Sequence, residues 1–305
     1  MLVKPKLVII TGPTGAGKSA LAVEVALELG AEILNADSLA FYRGFDIGSA
    51  KPTPAERQSV PHHLFDVADP DDNFSAGDFV RLARPLIDSL TNQGKLPLVV
   101  GGTGLYLRSL TRGIFESPGR DDAFRGHLKE LAQNGQNLYQ LLTSLDPQSA
   151  AKIRPFDRAR IERALEVFHQ TGEGISSHQE RHALAERPYN CLTVIVDRPV
   201  QELDHILKTR TRAIFDGGLI EETRALLAKG LSSELKPFKT VGYLEATEFL
   251  AGRMSLEQAR ESTFRRTRQL AKRQRTWFRG QCPDGLWMFP APASVIEVIR
   301  DFWVH

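Results

Sequence analysis

Short apolar runs alternate with longer helical patterns over the first 110 residues. "KLVIITG" predicts a strand, "KSALAVEVALELG" a helix stopped at Gly30, and "AEILNAD" and "HHLFDVADP" two further strands. "SAGDFVRLARPLIDSLTNQG" then predicts a helix and "LPLVVGGTG" a strand. Such alternation predicts an α/β fold, a parallel sheet flanked by helices, whose ligands sit at the carboxyl ends of the strands. Between residues 120 and 186 the strand signal vanishes and the pattern turns polar and helix-favouring, as in "AFRGHLKELAQ" and "RARIERALEVFHQTG". This stretch predicts an inserted all-helical domain. "YNCLTVIVDRP" regains strand character and is expected to rejoin the sheet, after which the pattern is helical almost to the last residue. The expected organisation is a core of residues 1–119 and 187–305 with a helical insertion at 120–186.

With 305 residues and 42% hydrophobic content, the chain can bury one good core and a smaller appended domain. A net charge of +2 is too close to balance to argue for a polyanionic partner from totals, so that argument must come from local clustering. Cys191 and Cys282 stand apart and outside any metal-ligand spacing, which points to a reducing compartment without disulfides or zinc. No apolar stretch is long enough to cross a membrane, and "MLVKP" opens no cleavable leader, so the expected location is the cytoplasm.

The chemistry begins at the first strand-to-helix turn. Gly12, Pro13, Thr14, Gly15, Ala16, Gly17, Lys18 and Ser19 match G-x-x-x-x-G-K-[ST], with a strand before and a helix after. Backbone N–H groups of such a loop turn inward on a phosphate, the helix N-terminus adds partial positive charge, Lys18 a full one, and Ser19 can reach Mg²⁺. The fold class narrows to a P-loop NTPase-like sheet. A nucleotide-splitting protein would also close a core strand with a carboxylate for Mg²⁺, yet "LPLVV" closes with Gly101, Gly102 and Thr103. Asp197 in "LTVIVDRP" offers such a carboxylate, or else "VDRP" is a strand end followed by a helix start at Pro199, and both readings stand.

Asp37, in "ILNADSLAFYRGFDIGSAKP", falls where the second strand leaves the sheet, beside the phosphate loop. It is either a general base or the cap of the next turn. "GGTG" adds a second group of backbone donors with the Thr103 hydroxyl, or is simply a tight turn before a helix. Two phosphate-directed elements over one crevice suit a diphosphate.

Near the end, "FRRTRQLAKRQRTWFR" holds seven basic residues and no acidic one. At helical spacing Arg265, Arg268, Lys272, Arg275 and Arg279 form one stripe, opposite Phe264, Leu270, Ala271, Trp277 and Phe278. An all-positive ridge fits a phosphodiester backbone, or an acidic face elsewhere in the same chain. Thr267 and Gln274 fall in the middle of the apolar side, without explanation from periodicity.

"GPTGAGKSALA", "NADSLAFYRGFDIGSAKP", "HHLFDVADP", "FSAGDFVR", "LVVGGTGLYL", "DRARIERALEV", "VGYLEA" and "TRQLAKRQRTWFR" occur in this order over nearly the whole chain. Together they resemble the tRNA dimethylallyltransferases, also called tRNA isopentenyltransferases. The resemblance implies that the cradle, with Arg210, holds the diphosphate of dimethylallyl diphosphate, with Mg²⁺ on Ser19. It implies transfer of the dimethylallyl group to the exocyclic amine of the adenosine 3′-adjacent to the anticodon of tRNA, giving N6-isopentenyladenosine, with Asp37, Thr103 and Lys18 catalytic. Contacts to tRNA are implied for Asp37, Ser38, Leu39, Ala40, Thr103 and Arg125, and in the insertion for Ala159, Arg160, Ile161, Glu162 and Arg163. A further stretch is Lys239, Thr240, Val241, Gly242, Tyr243 and Leu244, and Arg268, Lys272 and Arg275 would grip the anticodon stem. A base acted on inside a stem-loop must first leave its stack. The chain departs from the family pattern at Leu39 and Ala40, where many members have Met or Arg followed by Gln, and at His205 and Leu244, where basic residues are common.

Three rivals remain at this level. An adenylate isopentenyltransferase, acting on free AMP, ADP or ATP, needs neither the insertion nor the basic helix. A P-loop kinase would want a carboxylate after "LPLVV". An RNA-binding protein with a vestigial loop would not need Lys18, Ser19, Asp37 and Thr103 together. The expected partners are tRNA and dimethylallyl diphosphate, without a membrane, and the expected state is a monomer.

Overall fold

A computed structural model describes residues 4–53, 57, 59–115, 118–182 and 187–305. The chain divides into two compact units, Met1–Thr111 with Pro188–His305, and Arg112–Arg187.

The first unit is built on a six-stranded sheet in the order β3-β2-β4-β1-β5-β6. Its strands are β1 (Lys6–Thr11), β2 (Glu32–Asn35), β3 (His62–His63), β4 (Pro97–Val100), β5 (Asn190–Val196) and β6 (Leu286–Met288), and every pairing is parallel. A parallel strand covered on both faces needs near-continuous apolar sequence, and "KLVIIT" supplies it: Leu7, Val8 and Ile10 are fully buried. Register sets Ile10 beside Val100 of β4 and Val194 of β5, so the carboxyl ends of the central strands finish level. Helix α1 (Lys18–Leu29) covers one face through Leu21, Ala22, Val25 and Ala26, and stops at Gly30 in the left-handed region. Helix α13 (Pro292–Val304) packs Val295 and Ile299 into the same cluster.

Helix α2 (Ala76–Asn92) opens with a reciprocal cap, in which Ser75 Oγ accepts from the Asp78 N–H and the Asp78 carboxylate accepts from the Ser75 N–H. Such a cap contributes about 1 kcal/mol. Beyond α3 (Gly104–Arg112) the second unit contains α4 (Asp122–Gln133), α5 (Leu138–Leu145), α6 (Pro147–Lys152), α7 (Arg158–Thr171) and α8 (Ile175–His182). They close on Leu128, Leu138, Leu142, Ala150, Ile161, Ala164 and Leu165. Asp146 ties three of these helices together, accepting from the backbone N–H and hydroxyl of both Ser149 and Ser176. The return to the first unit runs through β5 into α9 (Val200–Asp216), α10 (Leu219–Ala228), a 3₁₀ turn (Lys236–Lys239), α11 (Tyr243–Leu250) and α12 (Leu256–Gln281). Among the described residues no helix is long and apolar enough to cross a membrane.

Two element predictions need correction. "HHLFDVADP" forms only the two-residue strand β3, because Leu64 and Asp66 take positive φ and swing the chain away from the sheet edge. Asp66 is held there by Lys51 Nζ at 2.6 Å and Arg57 at 2.9 Å. The terminal segment is not helical throughout: "LWM" is β6, paired with Val194–Val196 of β5. Three residues between a glycine turn and "FP" leave no readable period.

Candidate active site

The carboxyl ends of β1, β2 and β4 converge on a cavity of about 560 Å³ lined by Thr14, Lys18, Ser19, Asn35, Asp37, Gly101, Gly102, Arg210 and Gln274, with Ala22, Val23, Ile33, Phe65 and Val100 as apolar wall. The cradle forms as its sequence requires. Gly12 has φ near 141°, and a Cβ there would lie 2.1 Å from the Val196 carbonyl oxygen, so no other residue fits between β1 and β5. Lys18 begins α1 and donates from Nζ to the Pro13 carbonyl at 2.9 Å, folding its ammonium back over the loop. Burial brings its pKa down to about 8, with Arg210 adding to the effect and Asp37 opposing it. Burial also lowers the pKa of Arg210, again against the pull of Asp37. Two cations and one carboxylate thus share the field of one cavity, an arrangement with net positive charge aimed at an anion.

Asp37 is positioned by a residue the sequence reading passed over. Asn35, buried at the end of β2, accepts from the Asp37 N–H at 2.9 Å and donates to the Asp37 carbonyl at 3.2 Å and the Leu64 carbonyl at 3.0 Å. The Asp37 carboxylate caps the following turn, Oδ1 accepting from the Leu39 N–H at 3.0 Å. Capping uses one oxygen, and the second is free to take a proton, so the two readings of Asp37 are compatible. Thr103 ties this turn to the "GGTG" loop: its hydroxyl accepts from the Ser38 N–H at 3.0 Å, and its own N–H donates to the Ala36 carbonyl at 3.3 Å. Ala40 is buried beside them and lines the cavity.

Gln274 explains the polar position on the apolar side of α12. Its Oε1 accepts from the Thr14 N–H at 2.8 Å and its Nε2 donates to the Gly102 carbonyl at 3.0 Å. A Cβ on Gly102 would stand 2.4 Å from Nε2, so the glycine makes room for the amide. The only hint in sequence was a polar residue out of phase with its helix. Thr267, the other such position, returns its hydroxyl to the Thr263 carbonyl at 2.7 Å within the helix.

The basic ridge is only partly free. Arg265, Arg268, Lys272 and Arg279 are exposed, but Arg275 is not. It grips Asp197 through two hydrogen bonds of 2.8 and 2.6 Å and also donates to the Arg198 carbonyl. Arg275, expected on the outer ridge, is engaged inside the protein, and Asp197 presents no open carboxylate. The other reading of "VDRP" holds: β5 ends at Val196 and α9 starts at Val200 with Pro199 as its N-cap. Arg268 pairs at the surface with Asp204 at 2.6 Å, an exposed contact that contributes little.

The other residues named for tRNA separate into exposed and internal ones. Tyr243 is fully buried, and its hydroxyl accepts from the Gly48 N–H at 3.1 Å and donates to Glu222. Gly242 donates its N–H to Glu245 at 2.8 Å, Lys239 pairs at the surface with Glu234, and Thr240 donates to the Pro237 carbonyl. Val241 and Leu244 are half-buried. In the second unit, Ile161 belongs to the core, while Ala159 and Arg160 are exposed. Arg125 clasps the fully buried Glu166 at 2.8 and 2.9 Å, and Arg163 binds the same carboxylate. Burial opposes ionisation of Glu166, but Arg125, the Asp121 N–H and Arg163 outweigh it and bring the carboxyl down to about 2.

Residues 40–281 match the family model described as IPP transferase. The chain is 46% identical over 299 residues to the tRNA dimethylallyltransferase of Syntrophobacter fumaroxidans, covering 97% of this chain and 87% of that one. The corresponding protein of Geobacter sulfurreducens is also 46% identical, with 97% and 96% covered. Among solved structures, the tRNA isopentenylpyrophosphate transferase of Bacillus halodurans superposes with a TM-score of 0.72 at 35% identity, covering 98% and 95% of the two chains. A eukaryotic dimethylallyltransferase acting on tRNA shares the fold alone, with a TM-score of 0.78 at 24% identity and 95% and 75% covered. Matched over most of its length by the family model and over nearly all of it by these relatives, the chain belongs to the IPP transferase family, that of the tRNA dimethylallyltransferases.

Proposed function

We propose that the protein transfers the dimethylallyl group of dimethylallyl diphosphate to the exocyclic amine of the adenosine 3′-adjacent to the anticodon in tRNA. The observation that carries this reading is one cavity whose lining joins Thr14, Lys18 and Ser19 of the cradle and Arg210 to Asp37 and to several apolar side chains. A diphosphate complements the cationic part, and a five-carbon hydrocarbon complements Ala22, Val23, Ile33 and Phe65.

In the step proposed, the amine nitrogen forms a bond to C1 of the donor. The C1–O bond breaks and its electron pair leaves with the diphosphate. The amine proton passes to Asp37, whose turn geometry fixes the carboxylate through Asn35 and the Leu39 N–H. Lys18, Arg210 and the cradle N–H groups not used within the loop receive the charge that develops on the leaving group; one such donor is worth about 3 to 4 kcal/mol. Mg²⁺, when bound, would neutralise part of the diphosphate charge. Ser19 at the start of α1 suits it, whereas Asp197 is taken up by Arg275. Such an ion would draw its remaining ligands from the diphosphate and water, as Mg²⁺ commonly does.

The test is chemical identification of the product. Unmodified tRNA incubated with the protein, Mg²⁺ and labelled dimethylallyl diphosphate, then digested to nucleosides, should carry the label on N6-isopentenyladenosine alone. Label on another nucleoside would contradict the acceptor assignment.

A further inference from the structure

Phe156 stands in the turn between α6 and α7, within "RPFDRAR", with its ring 96% exposed. The turn that holds it out is built. The Asp157 N–H donates to the Arg154 carbonyl at 2.9 Å, and the Arg158 N–H to the Phe156 carbonyl at 2.9 Å. Asp157 then caps α7 by accepting from the Arg160 N–H at 3.3 Å, and Pro155 restricts the backbone just before the ring. No ring or cation among the described residues stacks on Phe156.

The surroundings decide what could cover it. From Lys152 to Glu162 the chain carries Lys152, Arg154, Arg158 and Arg160 against Asp157 and Glu162, and all four cations are exposed. Arg158 and Arg160 are steered by Glu162 and Asp157, at 2.6 and 3.0 Å. Lys152 and Arg154 have no acidic partner among the described residues. Elsewhere in this unit only Leu145, at 37%, is exposed among the large hydrophobics described, so the ring is not part of an apolar patch of the kind a protein partner would need. One exposed ring in a turn whose neighbours along the chain include four exposed cations suits instead a nucleobase, with its flanking phosphates on the cations. In the neighbouring stretch Ala159–Arg163 only Ala159 and Arg160 are exposed, and Arg160 is paired with Asp157. Ile161 is in the core, and Glu162 and Arg163 are held in ion pairs.

We propose that Phe156 is a base-stacking residue, an unpaired base of tRNA lying on its ring with the adjoining phosphates on Lys152 and Arg154. This rests on the reading of the chain as an enzyme of tRNA. The full-length protein, Phe156→Ala and Phe156→Trp are titrated into labelled unmodified tRNA at one fixed salt concentration. Phe156→Ala is expected to bind roughly ten- to a hundredfold more weakly, with unchanged circular dichroism and an unchanged KM for dimethylallyl diphosphate. Phe156→Trp should keep the affinity and, relative to wild type, show additional indole fluorescence that is quenched on adding tRNA. If both variants bind like wild type and the new indole is not quenched, the stacking assignment is wrong while the tRNA reading stands. If the wild-type protein binds no tRNA, both are wrong.

Discussion

The amide of Gln274 accepts a hydrogen bond from the Thr14 N–H at 2.8 Å and donates one to the Gly102 carbonyl at 3.0 Å. A residue of the basic helix therefore fixes the distance between the phosphate cradle and the loop that closes β4. Because α12 also presents Lys272 and Arg268 to solvent, the same rigid element joins a cationic surface to the floor of the cavity.

Replacement of Gln274 by Ala removes both hydrogen bonds and leaves the two loops independent. Two neutral hydrogen bonds at about 1 kcal/mol each predict a fall of roughly ten- to thirtyfold in kcat/KM for the prenyl donor. Steady-state kinetics with the donor varied at saturating tRNA will check this; an unaltered kcat/KM would show that the bridge is ornamental to the cradle.

Asp37→Asn preserves the turn, since an amide oxygen can still accept from the Leu39 N–H, but it cannot take up the proton. Loss of a general base predicts a rate lower by about 10² to 10⁴, with tRNA affinity essentially retained. Single-turnover rates and a parallel binding titration separate the two effects. Near-normal turnover would remove Asp37 from the chemistry.

Lys18 supplies a pH signature. Burial holds its pKa near 8, so the ammonium is charged below that value and is lost as pH rises through it. Binding of an anionic donor needs the charged form, so kcat/KM for the donor should decline above about pH 8, reporting the free enzyme. Lys18→Arg, which stays charged, should shift that limb to higher pH whatever its absolute rate. A profile flat to pH 9.5 in the wild type would contradict the assignment.

In the second unit, Glu166 joins Arg125 and Arg163 beneath the surface. Its folded pKa of about 2 lies below the ordinary value of 4.5. The stability it contributes is therefore fully present above about pH 4.5 and is lost as pH falls towards 2. Glu166→Gln leaves two arginines facing a neutral group and should destabilise this unit by roughly 3 kcal/mol at pH 7. Chemical denaturation followed by hydrogen exchange in α4 and α7 reads the effect, and the gap between variant and wild type should narrow in acid.

What was legible in the sequence was local. The β1 strand, the cradle and α1 with its Gly30 stop depend on residues within one stretch, and Asp37 was found because it leaves a strand next to that cradle. The residues missed act across long separations. Gln274 meets Thr14 at a distance of 260 positions along the chain, and periodicity could report only that a polar residue stood on the apolar side. Arg275 was placed on the outer ridge by the same periodicity, but Asp197, 78 positions away, draws its guanidinium inward. Helical phase gives the direction in which a long side chain starts, and the partner sets where its charged end finishes. β6 failed for a different reason, since three residues are too few to display a period.

The central claim is transfer of a prenyl group to tRNA, and the most direct measurement partitions one donor between two acceptors. Labelled dimethylallyl diphosphate and Mg²⁺ are supplied with unmodified tRNA in one tube and with AMP, ADP or ATP in the other. Label in the tRNA and none in the free nucleotides is the result expected of this site. Label in the free nucleotides, or in neither, would contradict it.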